Sequence, residues 1–249
     1  MSAASSAGNR PLHVVACAHG TDHPTGRRLI HALRAQLAAE LAAELAAEGL
    51  RAVVHEAYVD VQEPGLEAVL AALPAGEQAI VAPLLLSEGF HTSVDIANAV
   101  AMRSHTTAGA PLGPDPRLAT VLAARLTEAG YQPGDAVVLA AAGTRIQSGA
   151  AQAAAMAALL ATELGQDVSI AYCSAATPAV PDAVAAARAA GATRVGIAAF
   201  LLAPGFFHDR LATAGADYVS AALLPSLTIA KCVATRLAEA RESVCEDAE

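Results

Sequence analysis

Aromatic residues are scarce in this chain, which has no Trp, four Phe and four Tyr among 249 residues. Basic charge is short too, with 15 Lys and Arg against 24 Asp and Glu and a formal net charge of −9. A nucleic-acid surface needs basic stripes and often aromatic stacking platforms, so that partner class is set aside. Long uncharged apolar runs are also missing. The apolar excess, 55% of residues, is largely alanine in stretches such as QLAAELAAELAAE, where Glu recurs at short intervals. No such run approaches the ~18 residues of a membrane span. The four cysteines (Cys17, Cys173, Cys232 and Cys245) lack CxxC spacing. Cys17 and Cys173 lie inside apolar strand-like runs, and buried free thiols in a reducing compartment are expected. The absence of GxxxxGK(S/T), and of GxGxxG after the first strand, argues against ATP hydrolysis and a Rossmann dinucleotide site; GxSxG and HExxH are absent as well. The opening MSAASSAGNR has no basic segment leading into an apolar region. It reads as a disordered tail and not a secretory signal, so a cytoplasmic protein is expected.

What is present is the same βαβα order, twice. In the first copy, strands are expected over Leu12 to Ala16, Ala52 to Tyr58, Gln78 to Leu86 and His105 to Ala108. Helices are expected over Pro24 to Glu48, from Pro64 to Ala72, from His91 to about Arg103, and from Asp115 or Pro116 onward. The Gly/Pro-punctuated stretch Gly130 to Asp135 separates this from a second series: strand Ala136 to Ala141, helix Gln147 to Leu164, strand Val168 to Tyr172, helix Pro178 to Ala190 and strand Arg194 to Leu202. A short helix near His208, a strand around Tyr218 and a helix to about Ala240 complete it. Landmarks align: AHGT with AAGT, Tyr58 with Tyr172, Pro64 with Pro178, LLLSEGF with FLLAPGF, and Arg125 with Arg236. The expected class is α/β, two similar lobes, each a parallel sheet flanked by helices, with a cleft between them. Residues 1–10 would be a tail, 11–130 the first lobe, 131–242 the second and 243–249 a second tail.

In such sheets ligands bind beyond the carboxyl ends of the strands, and His19 and His91 both fall there. Imidazole nitrogen is a common ligand for Fe, Co, Ni and Zn, and a site that must release its metal keeps few protein ligands. Asp60, just beyond the second strand, is the candidate carboxylate, with Glu63 and Glu88 in reserve. Gly20 and Gly89 flank the histidines, where a turn or the close approach of a large ligand would require glycine. The second copy has Ala142 in place of His19, and its histidine, His208, comes one residue late. His23 is a candidate supporting group. His13, His31, His55 and His105 sit in strand or helix patterns without a matched partner.

At AHGTDHPTG, AYVDVQEPGLEAVL, PLLLSEGFHTSVDI and LGPDPRLATVLAARL the chain resembles the sirohydrochlorin chelatases, ATP-independent enzymes that insert iron, cobalt or nickel into sirohydrochlorin-type tetrapyrroles. The resemblance runs from Leu12 to about Ala240. It implies that His19 and His91 handle the metal and take up pyrrole protons, and that Asp60 stands where many members have Glu. Gly20, Thr21, Ser87, Gly89, Phe90, Thr92 and Ser93 would line the tetrapyrrole site, with Arg27, Arg145 and Arg210 as further anchors for its carboxylates. No permanently bound cofactor is implied; Fe²⁺, Co²⁺ or Ni²⁺ is a substrate. The leading expectation is a sirohydrochlorin ferrochelatase making sirohaem, with cobalt insertion toward cobalamin as the alternative. A non-catalytic metal or tetrapyrrole carrier and a metallohydrolase are the rivals from other classes. Because both lobes come from one chain, a monomer is expected.

Overall fold

The structure is a computed structural model that describes residues 11–246, with the side chains of residues 90–93 and 244–246 outside the description. The expected N-terminal tail and the Cys245 side chain therefore lie outside what is described. In the first lobe β1 (Leu12–Ala18), β2 (Ala52–Tyr58), β3 (Ala79–Pro83) and β4 (Thr106–Ala108) alternate with α1 (Pro24–Ala46), α2 (Leu66–Ala72), α3 (Phe90–Ala101) and α4 (Pro116–Glu128). The second lobe repeats the series with β5 (Ala136–Ala141), α5 (Gln147–Leu164), β6 (Val168–Tyr172), α6 (Val180–Ala189), β7 (Val195–Phe200), α7 (Phe206–Leu211), β8 (Tyr218–Val219) and α8 (Leu227–Glu246). Both four-stranded sheets are parallel, in the orders β2-β1-β3-β4 and β6-β5-β7-β8. Among the described residues no helix is long and apolar enough to cross a membrane.

Most boundaries follow the sequence pattern, and the departures have local causes. Asp115 caps α4 by accepting the Arg117 N–H at 2.8 Å, and Pro116 fills the first turn, where its missing N–H costs nothing. The helices expected to start at Pro64 and Pro178 begin instead at Leu66 and Val180. The two proline carbonyls are already committed, accepting the N–H groups of Tyr58 and Tyr172 at 3.0 Å each. β3 stops at Pro83, short of Leu86; Leu84 still donates its N–H to the Cys17 carbonyl of β1 at 2.7 Å, the last bond between the two strands. α8 runs past Ala240 to Glu246, through a stretch that contains no Gly or Pro to stop it.

Alternation along each central strand divides the core. Val14, Ala16 and Ala18 of β1 and Val137, Leu139 and Ala141 of β5 face one shared cluster between the lobes, which also holds the apolar stripes of α1, α4, α5 and α8. Val15 and Cys17 face a separate core beneath α2 and α3, and Val138 and Ala140 another beneath α6 and α7. The closing helices are exchanged. α4 packs on α5 and β7 of the second lobe, while α8 packs on α1, β3 and β4 of the first. The tie is reciprocal: Arg125 of α4 donates to the Pro225 carbonyl at 2.6 Å, and Arg236 of α8 donates to the Pro114 carbonyl at 3.2 Å.

Candidate active site

β1 lies between β2 and β3, so the residue following it is delivered to the middle of the sheet's carboxyl edge. That residue is His19. Its backbone is clamped by the turn after β2: Val59 donates to the Ala18 carbonyl at 2.9 Å and Asp60 to the His19 carbonyl at 3.0 Å. Gly20 then takes φ 101°, and a Cβ there would stand 2.1 Å from the Asp60 carbonyl oxygen, so both conformation and space require glycine. The His19 side chain is exposed, at the mouth of a cleft of about 1100 Å³ that both lobes line. The second lobe copies the backbone cradle: Cys173 and Ser174 donate to the Ala141 and Ala142 carbonyls at 2.8 and 3.0 Å, and Gly143 also has φ 101°. Only the side chain changes, from imidazole to the methyl group of Ala142.

Of the other expected residues, Gly20, Thr21, Ser87 and Gly89 line the cleft, as do His23 and Glu88. Gln62 accepts the Thr21 N–H at 2.9 Å, and the Thr21 hydroxyl accepts the His23 N–H at 3.1 Å. His23 Nδ1 accepts the Gly26 N–H at 3.2 Å, which caps α1 and leaves Nε2 as the nitrogen carrying hydrogen. His91 and its neighbours Phe90, Thr92 and Ser93 occupy the first turn of α3, with Gly89 as its N-cap, and not a loop after the strand. Their side chains lie outside the described residues.

Asp60 departs from expectation. It is exposed and absent from the cleft lining, and its Oδ1 accepts the neighbouring Val61 N–H at 2.7 Å. The turn gives Val61 a φ of 64° and brings Val61 and Gln62 to the cleft instead. Glu63 likewise serves the turn, accepting the Gly65 N–H at 2.9 Å. Glu88 reaches across to the other lobe, where its carboxylate accepts from the Ser148 hydroxyl and its N–H donates to Gln152 at 2.8 Å. Arg27 sits outside the lining and ties Asp22 at 2.8 Å. Among the described residues no three His, Cys, Asp or Glu side chains converge to hold a metal ion.

Sequence reading did not anticipate the polar cluster beneath this wall. Arg34 of α1 is buried and donates to Glu56 and to the Tyr58 hydroxyl, each at 3.0 Å, and to the Ala16 and Ala57 carbonyls at 3.2 and 3.1 Å. Tyr58, which lines the cleft, donates its own hydroxyl to Glu56. Burial, then the bond to Glu56, pushes the Tyr58 phenol up from its ordinary value, so it stays protonated. These partners lie too far apart in sequence for any spacing to announce them. Burial pushes the Cys17 thiol up to about 12 and those of Cys173 and Cys232 up to about 11, so these three stay protonated at neutral pH.

The facing wall comes from the second lobe and is more apolar, with Ala142, Ala175, Phe206 and Phe207 beside Arg145 and His208. His208 Nε2 is engaged with the Ser220 carbonyl at 3.0 Å. Arg210 lies over the Phe206 ring at 5.4 Å and is not part of the lining. The walls meet through two glycines. A Cβ on Gly26 of α1 would stand 2.5 Å from the Pro204 carbonyl oxygen, and one on Gly149 of α5 would stand 2.1 Å from that of Glu88.

Comparison with known proteins agrees with this layout. The CbiX family model matches residues 13–129 and again 136–240. A sequence comparison with curated proteins finds no match. Among solved structures the chain is similar to SirB from Bacillus subtilis with Fe³⁺, at TM-score 0.75 and 17% identity over 92% of this chain and 95% of that one. The sirohydrochlorin chelatase SirB from Bacillus subtilis subspecies spizizenii in complex with cobalt gives 0.67 and 18% over 93% and 96%. CbiX, described as the terminal enzyme for biosynthesis of siroheme in denitrifying bacteria, gives 0.64 and 18% over 93% and 99%. These structural likenesses carry the fold. With the family pattern present in both halves, the chain belongs to the CbiX family, the sirohydrochlorin chelatases that its motifs resemble.

Proposed function

We propose that this protein inserts a divalent metal into a sirohydrochlorin-type tetrapyrrole without ATP, and that Fe²⁺ is the metal, giving sirohaem. The observation that carries this reading is the pairing of the CbiX match with a cleft of about 1100 Å³ whose mouth holds His19 on a clamped turn. Pockets for drug-sized ligands occupy roughly 300–1,000 Å³, so this cleft suits a large ligand. Its more apolar second wall suits the flat face of a macrocycle.

The reaction exchanges a metal dication for two pyrrole protons, so charge balances without a nucleotide. A base near the ring centre lowers the barrier to losing those protons, and weak ligation on one face presents the metal for transfer. His19 and His91 are assigned these tasks. A site with few ligands fits an ion that must leave it, whereas a metallohydrolase would need a tight resident metal. Asp60 is assigned to the turn that holds His19 and not to the metal.

Cobalt is the second reading, favoured by the relative whose structure contains it. Anaerobic metalation of sirohydrochlorin, followed by visible absorbance with Fe²⁺, Co²⁺ and Ni²⁺ against the spontaneous rate, tests both. Acceleration greatest with Fe²⁺ supports the ferrochelatase, and acceleration greatest with Co²⁺ moves the assignment to cobalt. Stoichiometric binding spectra without acceleration would make the protein a carrier and overturn the proposal.

A further inference from the structure

The second lobe has Ala142 where the first has the histidine of the cradle, and three residues further on it carries a cation. Gly20 and Gly143 share φ 101°, and Thr21 and Thr144 follow them, so Asp22 and Arg145 are equivalent positions. Both line the cleft. Asp22 is neutralised by Arg27 at 2.8 Å. Arg145 is exposed and makes no ion pair or hydrogen bond with any described residue.

Its surroundings explain why it stays available. Glu88, the nearby cleft-lining carboxylate, is already held by Ser148 and Gln152 in the first turns of α5. Arg145 precedes Ile146, the N-cap of that 18-residue helix, whose dipole adds positive potential on the same side. Phe206, 68% exposed, stands on the same wall. A cation beside an apolar wall is a recognition site for a flat apolar body with anionic groups at its edge.

We infer that Arg145 is a substrate-binding residue that pairs with a peripheral carboxylate of the tetrapyrrole, and that the second lobe orients the macrocycle against His19. This rests on the chelatase reading and deepens it. In a chain of net charge −9 such an anchor must be local, because the overall field opposes a polyanion. A guanidinium suits the task through its planar, bidentate donors.

The test is metal-free titration of sirohydrochlorin, followed by absorbance, on wild type, Arg145→Ala, Arg145→Lys and Arg188→Ala, with insertion kinetics on the same proteins. Arg188 pairs with Asp217 outside the cleft lining and controls for the loss of one positive charge. Arg145→Ala is expected to weaken binding and raise KM by about tenfold, the scale of one charge-assisted hydrogen bond, with kcat within about twofold. Arg145→Lys should recover part of the loss, and the salt dependence of binding should be shallower in Arg145→Ala than in wild type. Wild-type binding and insertion with Arg145→Ala indistinguishable from Arg188→Ala would overturn this inference alone. A wild type that binds no sirohydrochlorin would overturn the functional reading together with it.

Discussion

The first strand of each lobe ends in the same backbone cradle, with two carbonyls held by the following turn and a glycine at φ 101°, yet one cradle presents His19 and the other Ala142. The difference continues below the surface. Tyr58 of the first lobe rests on Arg34 and Glu56, while eight residues beyond Gly149, where the count from Gly26 reaches Arg34, the second lobe has Ala157. The two copies share the backbone that builds the cleft and differ in the side chains they present to it. The first lobe is assigned proton and metal handling, and the second supplies a facing wall with Arg145 and Phe206.

The strongest way to break the comparison is to part the copies. Because α4 covers the second sheet and α8 the first, residues 11–130 alone would expose the apolar faces of α1 and β3. The isolated half is expected to show no cooperative urea unfolding, and co-expression with residues 131–249 should restore it. Next in size is Arg34→Met, which removes the cation from Glu56 and the Tyr58 hydroxyl, still bonded to each other, and a donor from the Ala16 and Ala57 carbonyls. Glu56 keeps 39% of its side-chain exposure, so the expected loss is about 2–3 kcal/mol in denaturant titration, below that of a fully buried pair. A loss near zero would mean the cluster contributes nothing that distinguishes the lobes.

Gly26→Ala and Gly149→Ala probe the seam from either side. Alanine gains helix propensity, but its Cβ meets a backbone carbonyl that cannot give way, for a net cost of about 1–2 kcal/mol each. Both should lower Tm and raise KM, since both displace a cleft wall. The effect that is smallest at neutral pH, where it vanishes, concerns a buried thiol. Cys17 ionises near 9 when unfolded and only near 12 when buried, so above pH 9 the unfolded chain releases this proton first. It then binds fewer protons than the native state, and stability falls as pH rises from about 9 toward about 12. Cys17→Ala should flatten that decline in chemical denaturation.

Much of the fold was legible because strand and helix periods switch cleanly and Gly or Pro marks the breaks. The exchange of α4 and α8 was not. Leu118, Leu122 and Leu126 announce an apolar stripe, but nothing in that spacing says which sheet it covers. The placement of His19, Gly20 and Thr21 at the cleft was legible, because strand end, glycine and hydroxyl are consecutive. The placement of Asp60 outside the lining was not legible, because the turn depends on Val61 at φ 64°, a conformation that a β-branched side chain resists and that propensity would not assign. That turn directs Gln62 to the Thr21 N–H and leaves the carboxylate outside.

The most direct test of a catalytic first lobe is ATP-free metal insertion at saturating sirohydrochlorin, comparing His19→Ala with His208→Ala. His208 also lines the cleft but is committed to the Ser220 carbonyl. The account predicts at least a ~100-fold fall in kcat for His19→Ala, the scale of a lost general base, and little change for His208→Ala. Equal losses in the two variants would contradict it.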